Sequence, residues 1–499
     1  MRYVFVFLSS IIFYTNSVAQ QLVMRGDHPD PSVVKIGDTY WASATTSNWF
    51  PAYPLLKSKD LVNWKTEGYV FNQLPAWADY YFWAPEISYE NGKVYIYYAA
   101  HKKGGNLCLG IASADKPEGP YTDHGPLMCQ EVGSIDAFPM RDENGKLYII
   151  WKEDGNSVNK PTPIWAQQIN EQRTAFVGQK KELFHNDKGW EGNLVEGVSM
   201  IKRGEYYYAF YAAAGCCGRE CTYQTGVARS KTLLGPWEKY KNNPVLTHDD
   251  EWRCPGHGTP IEKDGKYYFL YHAYDKQTNV YTGREALLME FRFTGDGWIE
   301  FVKDNVRNDV AVTSFKDNFR GTRISNNWQW SVFEQPRFQQ KGGEIVLNAL
   351  PSKSGAFLGT KTISGTYNAS VKITVKRTNA AAGIGIIGDE KNTLSALYKN
   401  GEIRVVQLKD GKETELDRKS VTVKNKLIFT VTVTNGKDIS FLYNTGKRYE
   451  VLNNKPVDGS FLPPWDRSLR VGVIAKGHAN EVATFDEFEL NNNSTFKTK

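Results

Sequence analysis

Five stretches decide the fold of this chain: GDTYWASAT from residue 37, NGKVYIYYAA from 91, NGKLYIIWK from 144, RGEYYYAFYAA from 203 and DGKYYFLYHAY from 264. Each begins with a short polar turn that contains glycine and continues as an aromatic and β-branched run. This pattern is typical of a tight β-hairpin. The starts lie roughly 53 to 61 residues apart, close to the length of a four-stranded propeller blade. The repeat predicts a five-bladed β-propeller over residues 20–312.

A second phrase repeats in the same phase. ASADKPEGPYTDHGPL from residue 112 matches ARSKTLLGPWEKYKNNPVL from residue 228, which argues against a run of unrelated hairpins. Over residues 313–492 the phrase is absent, and short alternating strands such as KLIFTVTV and RVGVIA are separated by Asn-Gly and Asp-Gly turns. We therefore expect an all-β chain, with the propeller followed by an accessory β-sandwich and a polar tail over 493–499.

The composition excludes several classes of protein. Hydrophobic residues make up 41% of the 499 residues and aromatic residues 13%, which suits packed cores and is unlike a disordered chain. The formal net charge is +6, from 61 Lys and Arg against 55 Asp and Glu, and both signs are interspersed. We therefore expect no nucleic-acid partner.

The N-terminus, MRYVFVFLSSIIFYTNSVAQ, has the three parts of a signal peptide over residues 1–19. Arg2 gives the positive start, residues 4–13 the apolar segment, and Ser17-Val18-Ala19 the cleavage site. The apolar run is too short to cross a bilayer comfortably. The sequence predicts a secreted or periplasmic protein with no membrane insertion after signal cleavage. An uncleaved anchor is the alternative.

Six cysteines stand at positions 108, 129, 216, 217, 221 and 254. Three of them fall in AGCCGRECT, which lacks the C-x2-C spacing of a zinc site. An exported protein can form disulfides. Disulfides or buried free thiols are therefore favoured over a metal cluster.

Three carboxylates precede repeated hairpins by similar distances: Asp30 in GDHPDPSV, Asp136 in GSIDAFPM and Glu196 in NLVEGVSM. The common phase places them on the same strand of their blades, and therefore at one radius of the ring. Each alone could be an ion-paired structural acid. Together they suit glycoside hydrolysis, which needs a proton donor and an ionised carboxylate. Acids on separate blades favour the wide separation of inverting enzymes, about 6.5–9.5 Å.

Four further residues are candidates for the same site. His257 in CPGHGTP should point into the central channel, where it could bind a water or an ion. Arg284 in TGREALLMEF could bind sugar hydroxyls or a carboxylate. Trp83 in FWAPE and Phe50 could stack on a sugar face. The alternatives are a buried hydrogen-bonded histidine, a surface arginine paired with Glu285, and aromatic core packing.

In this order and spacing, the motifs HPDPS, FWAPE, SIDAF, VEG, GHG and GRE resemble glycoside hydrolase family 43. The resemblance covers about residues 24–300, and the segment from Phe315 to Leu490 resembles the concanavalin-like β-sandwich that often follows this domain. It implies a five-bladed propeller enzyme acting on arabinose- and xylose-containing glycans.

The resemblance also implies roles. Asp30 would be the general base that activates water, and Glu196 the general acid. Asp136 would tune the pKa of the acid and orient it. His257 would lie near a bound metal, often calcium, or its water, and Arg284 would contact substrate or Asp136. No organic cofactor is implied.

The resulting prediction is an exported, inverting exo-glycosidase that hydrolyses terminal α-L-arabinofuranosyl residues of an oligo- or polysaccharide. A β-xylosidase and an exo-acting galactan hydrolase are alternatives within the class. A non-catalytic carbohydrate-binding propeller is an alternative from another class, as is a WD-type interaction propeller, although no WD signature is present. The sandwich could close one side of the pocket, bind carbohydrate or be purely structural.

Overall fold

The computed structural model describes residues 20–302 and 309–492. The expected signal peptide over 1–19 and the expected tail over 493–499 lie outside the described residues. Short 3-10 helices are the only helices in the described parts, and they lie at Gly155–Val158, Gly189–Glu191, Asn279–Tyr281 and Val375–Arg377. No helix within these parts is long and apolar enough to span a membrane. All other regular structure there is β-strand, as the sequence predicts.

The first two blades follow each other along the chain. The first described strand is β1 (Gln21–Met24). The first blade contains β2 (Ser32–Ile36), β3 (Thr39–Ser43), β5 (Ala52–Ser58) and β6 (Lys65–Phe71), with the short β4 (Trp49–Phe50) between β3 and β5. The second blade contains β7 (Ala78–Glu90), β8 (Lys93–Lys102), β9 (Leu107–Ala114) and β10 (Thr122–Cys129). Each repeated turn joins the first strand of a blade to the second, because its two-residue Gly-containing loop suits a hairpin.

The remaining three blades have the same order. The third contains β11 (Ser134–Arg141), β12 (Leu147–Glu153), β13 (Ile164–Ile169) and β14 (Phe176–Phe184). The fourth contains β15 (Val195–Arg203), β16 (Tyr206–Ala213), β17 (Gln224–Ser230) and β18 (Glu238–Lys239). The fifth contains β19 (Trp252–Lys263), β20 (Lys266–Asp275), β21 (Glu285–Phe293) and β22 (Ile299–Phe301).

The ring is closed with the help of β1, which precedes the first blade. β1 pairs antiparallel with β21, so that Leu22 lies opposite Leu287 in the fifth blade. The first strands of the blades, β2, β7, β11, β15 and β19, contact one another in that order, and β19 contacts β2. They therefore line the central channel. The predicted five-bladed propeller is confirmed, and closure places the fifth blade against the first.

The C-terminal part is a β-sandwich, as predicted. One sheet contains β23 (Phe315–Asp317), β25 (Phe338–Lys341), β26 (Glu344–Asn348), β28 (Tyr367–Thr374), β33 (Lys426–Thr434), β34 (Asp438–Asn444), β35 (Tyr449–Val451), β36 (Val457–Asp458) and β38 (Val482–Asn491). The facing sheet contains β27 (Ala356–Lys361), β29 (Ala381–Asp389), β30 (Asn392–Lys399), β31 (Glu402–Lys409), β32 (Lys412–Ser420) and β37 (Arg470–Lys476). A further strand, β24 (Trp330–Ser331), pairs with β4 of the propeller.

This pairing corrects the expectation that Phe50 stacks on a sugar. Phe50 lies in β4 opposite Trp330, and its ring is 1% exposed against Phe82 and Trp330. The ring fills the interface between propeller and sandwich, because burying an aromatic ring there removes a large apolar surface from water. Phe50 is therefore a core residue.

The six cysteines form disulfides rather than a metal cluster. Cys108 is bonded to Cys129 within the second blade. Two further bonds lie near the fourth and fifth blades, Cys216–Cys217 and Cys221–Cys254.

Candidate active site

The backbone bends at an equivalent place in every blade, within the first strand or, in the first blade, just before it. The backbone φ angle is positive at Asp30 (51°), Ala84 (43°), Asp136 (60°), Gly197 (62°) and His257 (40°). Strand pairing shifts register around the last four of these positions. Such bulges re-aim side chains beside an active site. The propeller symmetry therefore turns side chains from separate blades towards one mouth of the channel.

Asp30 is buried among positive and hydrogen-bonding groups. Its Oδ1 lies 3.1 Å from Arg284 Nη1 and 3.4 Å from His257 Nδ1, and Thr45 donates a hydrogen bond of 2.6 Å to Oδ2. Its backbone N–H donates to Nδ1 of the buried His272. Burial alone would raise the pKa of Asp30, but the charge of Arg284, the two histidines and the Thr45 hydrogen bond lower it to about 2. Asp30 is therefore a carboxylate over the whole ordinary pH range.

Asp136 has the opposite character. Burial raises its pKa to about 6, and the nearby negative charge of Glu196 also raises it, although His257 and Lys152 act against this. Its Oδ2 accepts a hydrogen bond of 2.9 Å from the backbone N–H of Gly197. The two carboxylates of blades three and four are thus linked through one peptide, and Asp136 holds a proton more readily than Asp30.

Gly197 is required where it stands. A Cβ at this position would meet Cγ of His257 at 2.7 Å, closer than real Cβ contacts, and its φ is +62°. The close approach lets His257 Nδ1 reach Asp30, at 3.4 Å, and Asp136, at 4.0 Å. His257 therefore sits between the two aspartates.

Glu196 is held by a different set of partners. Lys152 donates a hydrogen bond of 2.6 Å to Oε2, and the hydroxyl of Tyr223 donates one of 2.8 Å to Oε1. The Lys152 side chain is 1% exposed and also lies 2.9 Å from Asp154. Its partners Glu196 and Asp154 raise the pKa of this ammonium despite its burial. Each carboxyl oxygen of Glu196 thus accepts a hydrogen bond, which fixes the orientation of the side chain.

An aromatic wall completes the site. Trp83 stacks on Tyr81 with ring centroids 4.3 Å apart, and meets Trp465 edge-on at 5.9 Å. Trp465 belongs to the sandwich part and is 52% exposed. Its neighbour Asp466 accepts a hydrogen bond from Arg284 at its backbone oxygen. The sandwich therefore contributes directly to the wall of the site.

A cavity of about 380 Å³ opens among these groups. Six of the seven residues singled out in the sequence line it: Asp30, Trp83, Asp136, Glu196, His257 and Arg284. Arg284 bonds to Asp30 rather than to Asp136 or Glu285. The cavity accepts a small polar molecule with one apolar face, which is the shape and chemistry of a sugar.

Several lining residues were not anticipated. Lys152 closes the repeat NGKLYIIWK, so its place on the second strand of a blade could have been read from the repeat, but its contact with Glu196 required the cross-blade geometry. Trp465 comes from a loop more than 150 residues beyond the propeller strands. The Cys216–Cys217 pair also lines the cavity.

The resemblance implies a metal near His257, often calcium. Calcium takes about six to eight oxygen ligands. The described parts of the chain contain no cluster of three or more His, Cys, Asp or Glu side chains placed to hold a metal ion. His257 instead directs Nδ1 towards Asp30. A metal near His257 stays a prediction from the resemblance.

The fold and the paired carboxylates define the class: a β-propeller glycoside hydrolase. The family profile described as glycosyl hydrolases family 43 matches residues 19–299, and the chain belongs to this family. A second profile, the beta xylosidase C-terminal concanavalin A-like domain, matches residues 316–491. The resemblance seen in the sequence is confirmed.

Relatives carry more than one activity in their names. A non-reducing end alpha-L-arabinofuranosidase of Bacteroides ovatus is 24% identical, with 94% of each chain covered. A xylan 1,3-beta-xylosidase of a Vibrio species is 29% identical over 51% of this chain and 49% of its own. An extracellular exo-alpha-(1->5)-L-arabinofuranosidase of Cellvibrio japonicus is 24% identical over 54% of this chain and 85% of its own.

The whole architecture recurs in solved structures. The GH43 BlXynB protein of Bacillus licheniformis aligns with a TM-score of 0.79 at 24% identity, covering 95% of this chain and all of that one. This likeness concerns the fold, including the sandwich.

Proposed function

We propose that this enzyme removes terminal α-L-arabinofuranosyl residues from plant-type glycans with inversion at the anomeric carbon. The observation that carries the proposal is the contrast between Asp30 and Glu196. Asp30 is stabilised as a carboxylate by Arg284, whereas Glu196 lies on another blade with its own partners. Asp30 is suited to accept a proton, and inversion requires Glu196, on its separate blade, to lie about 6.5–9.5 Å away.

In the proposed reaction, Asp30 accepts a proton from water as the water attacks the anomeric carbon. Glu196 gives a proton to the glycosidic oxygen as the bond to the leaving group breaks. Asp136, whose pKa is raised to about 6, accepts a hydrogen bond from the Gly197 peptide that adjoins Glu196. It can therefore hold or release a proton close to the proton donor. Because Asp30 keeps its charge down to about pH 2, the base does not limit activity in mild acid.

The sugar assignment is supported by two relatives that are named arabinofuranosidases, one matching 94% of this chain and the other 54%. A β-xylosidase is the second candidate, since the Vibrio relative carries that name. A cavity walled on one side by Trp465 suits the end of a chain rather than its middle. Export is supported by the signal-like residues 1–19 and by the extracellular description of the Cellvibrio relative.

Release of nitrophenol from aryl glycosides tests the proposal. The panel contains α-L-arabinofuranoside, β-D-xyloside and β-D-galactoside, each with wild type and with Asp30→Asn as the matched inactive control, because activation of water is needed whatever the leaving group. We expect the arabinofuranoside to be cleaved with the highest kcat/KM. A higher kcat/KM for the xyloside would replace the assignment by the second candidate, and turnover of none of the panel would refute it.

A further inference from the structure

A disulfide between adjacent residues forms part of the cavity wall. Cys216 and Cys217 are bonded to each other and both line the cavity. Both residues are partly exposed. The bond closes a small ring through the peptide between them, and its disulfide sulfurs carry no hydrogen to donate, so an apolar sulfur pair lines the space where a sugar would lie.

Strand pairing places this surface on the side of the proton donor. In the fourth blade Glu196 lies opposite Ala212, and Val195 lies opposite Ala213. The chain leaves β16 at Ala213 and reaches the disulfide three residues later. The disulfide therefore stands at the mouth of the cavity just beyond Glu196, on a different side of the ring from Asp30.

The surroundings fix the segment in place. Cys221, a few residues further on, is bonded to Cys254 in β19 of the fifth blade. The backbone N–H of Gly218 donates a hydrogen bond of 3.1 Å to the hydroxyl of Tyr274. A Cβ on Gly218 would lie 3.4 Å from the backbone oxygen of Trp465. The disulfide and the Trp465 segment are therefore neighbours at one side of the mouth.

We infer that the Cys216–Cys217 disulfide is an apolar contact for the sugar of the leaving group. In glycoside hydrolysis the leaving group lies beside the general acid, and Glu196 has that role under the proposed function, on which this inference rests. Sulfur is polarisable and packs well against apolar surface. The C–H face of a sugar would rest on the disulfide while its hydroxyls remain available to polar groups. The disulfide thus selects substrates with a sugar, rather than a small group, as the leaving group.

The test compares leaving groups of different size on one terminal sugar. Wild type and Cys216→Ala/Cys217→Ala are measured with a disaccharide and with the methyl glycoside of the sugar that wild type releases. The inhibition constant of that free monosaccharide is measured alongside. The matched control, Cys108→Ser/Cys129→Ser, removes a disulfide that does not line the cavity.

We expect the alanine pair to raise KM for the disaccharide about tenfold, as for a lost apolar contact, with kcat nearly unchanged. KM for the methyl glycoside and the inhibition constant of the monosaccharide should stay within about twofold, as should all constants of the control. An unchanged KM for the disaccharide overturns the inference. An equal loss on all three ligands also overturns it, because that indicates a structural role.

A second measurement keeps the disulfide intact and so does not depend on how the alanine pair folds. A crystal structure of Glu196→Gln with the disaccharide should place the leaving-group sugar within about 4 Å of Sγ of Cys216 or Cys217. A sugar bound away from both sulfurs refutes the inference. Wild type that releases no sugar refutes the proposed function instead, so the two failures are distinct.

Discussion

Replacing Arg284 by methionine should make the enzyme sensitive to acid. Burial raises the pKa of Asp30, and Arg284 is the strongest of the groups that bring it down from 3.8 to about 2. This difference corresponds to about 2.5 kcal/mol in favour of the carboxylate. Without the guanidinium, burial is opposed only by the two histidines and Thr45. We therefore expect the pKa of Asp30 to rise to its ordinary value or above.

The sign of the effect follows from the role of the base. Asp30 must be ionised to accept a proton from water, so activity is lost as pH falls through its pKa. Wild type should keep a constant kcat/KM on the acid side down to about pH 4. In Arg284→Met, kcat/KM should begin to fall at pH 4 or above, by about tenfold for each further unit of pH.

The assay is the pH profile of kcat/KM with an activated aryl glycoside between pH 3.5 and 8. Circular dichroism at each pH checks that the protein is folded, because losing one member of a buried ion pair costs about 3–5 kcal/mol. Arg284→Lys keeps a positive charge and should shift the acid limb less than the methionine variant. An acid limb at the same pH in wild type and Arg284→Met would refute the reasoning, whatever the change in overall rate.

Three further outcomes are expected. Glu196→Gln should lower kcat/KM for a disaccharide by about 10² to 10⁴, and by much less for a dinitrophenyl glycoside, whose leaving group needs no proton; equal losses would contradict the role of acid. Lys152→Met should lower the free energy of unfolding in urea by about 3–5 kcal/mol, because Glu196 would lose its buried cation, while Lys152→Arg should recover part of it. Asp136→Asn should change the kcat/KM profile near pH 6, because burial and the charge of Glu196 raise the pKa of Asp136 to about 6 and an amide does not titrate; a profile unchanged near pH 6 would separate Asp136 from the reaction.

The five-bladed ring could be predicted from the sequence because the motif that forms it is local and is repeated five times. A Gly-containing turn followed by an aromatic strand forms a hairpin wherever it occurs, and five copies in one phase predict the radius at which Asp30, Asp136 and Glu196 lie. The bulges that aim these side chains into the mouth arise from backbone geometry, which residue type does not reveal.

Contacts between distant segments could not be predicted in the same way. Phe50 and Trp83 are both aromatic residues of the first two blades. Phe50 is buried against the sandwich, whereas Trp83 lines the cavity. Only the docking of the second domain decides between them. The same docking brings Trp465 to the site, and the cross-blade approach brings Lys152 to Glu196.

The stereochemistry of the first-formed sugar tests the central claim most directly. If Asp30 activates water across the cavity from Glu196, proton NMR during the first turnovers should show the anomer opposite to that of the substrate, before mutarotation equilibrates it. First-formed product with the original anomeric configuration would contradict the account, because retention requires a carboxylate to attack the sugar itself.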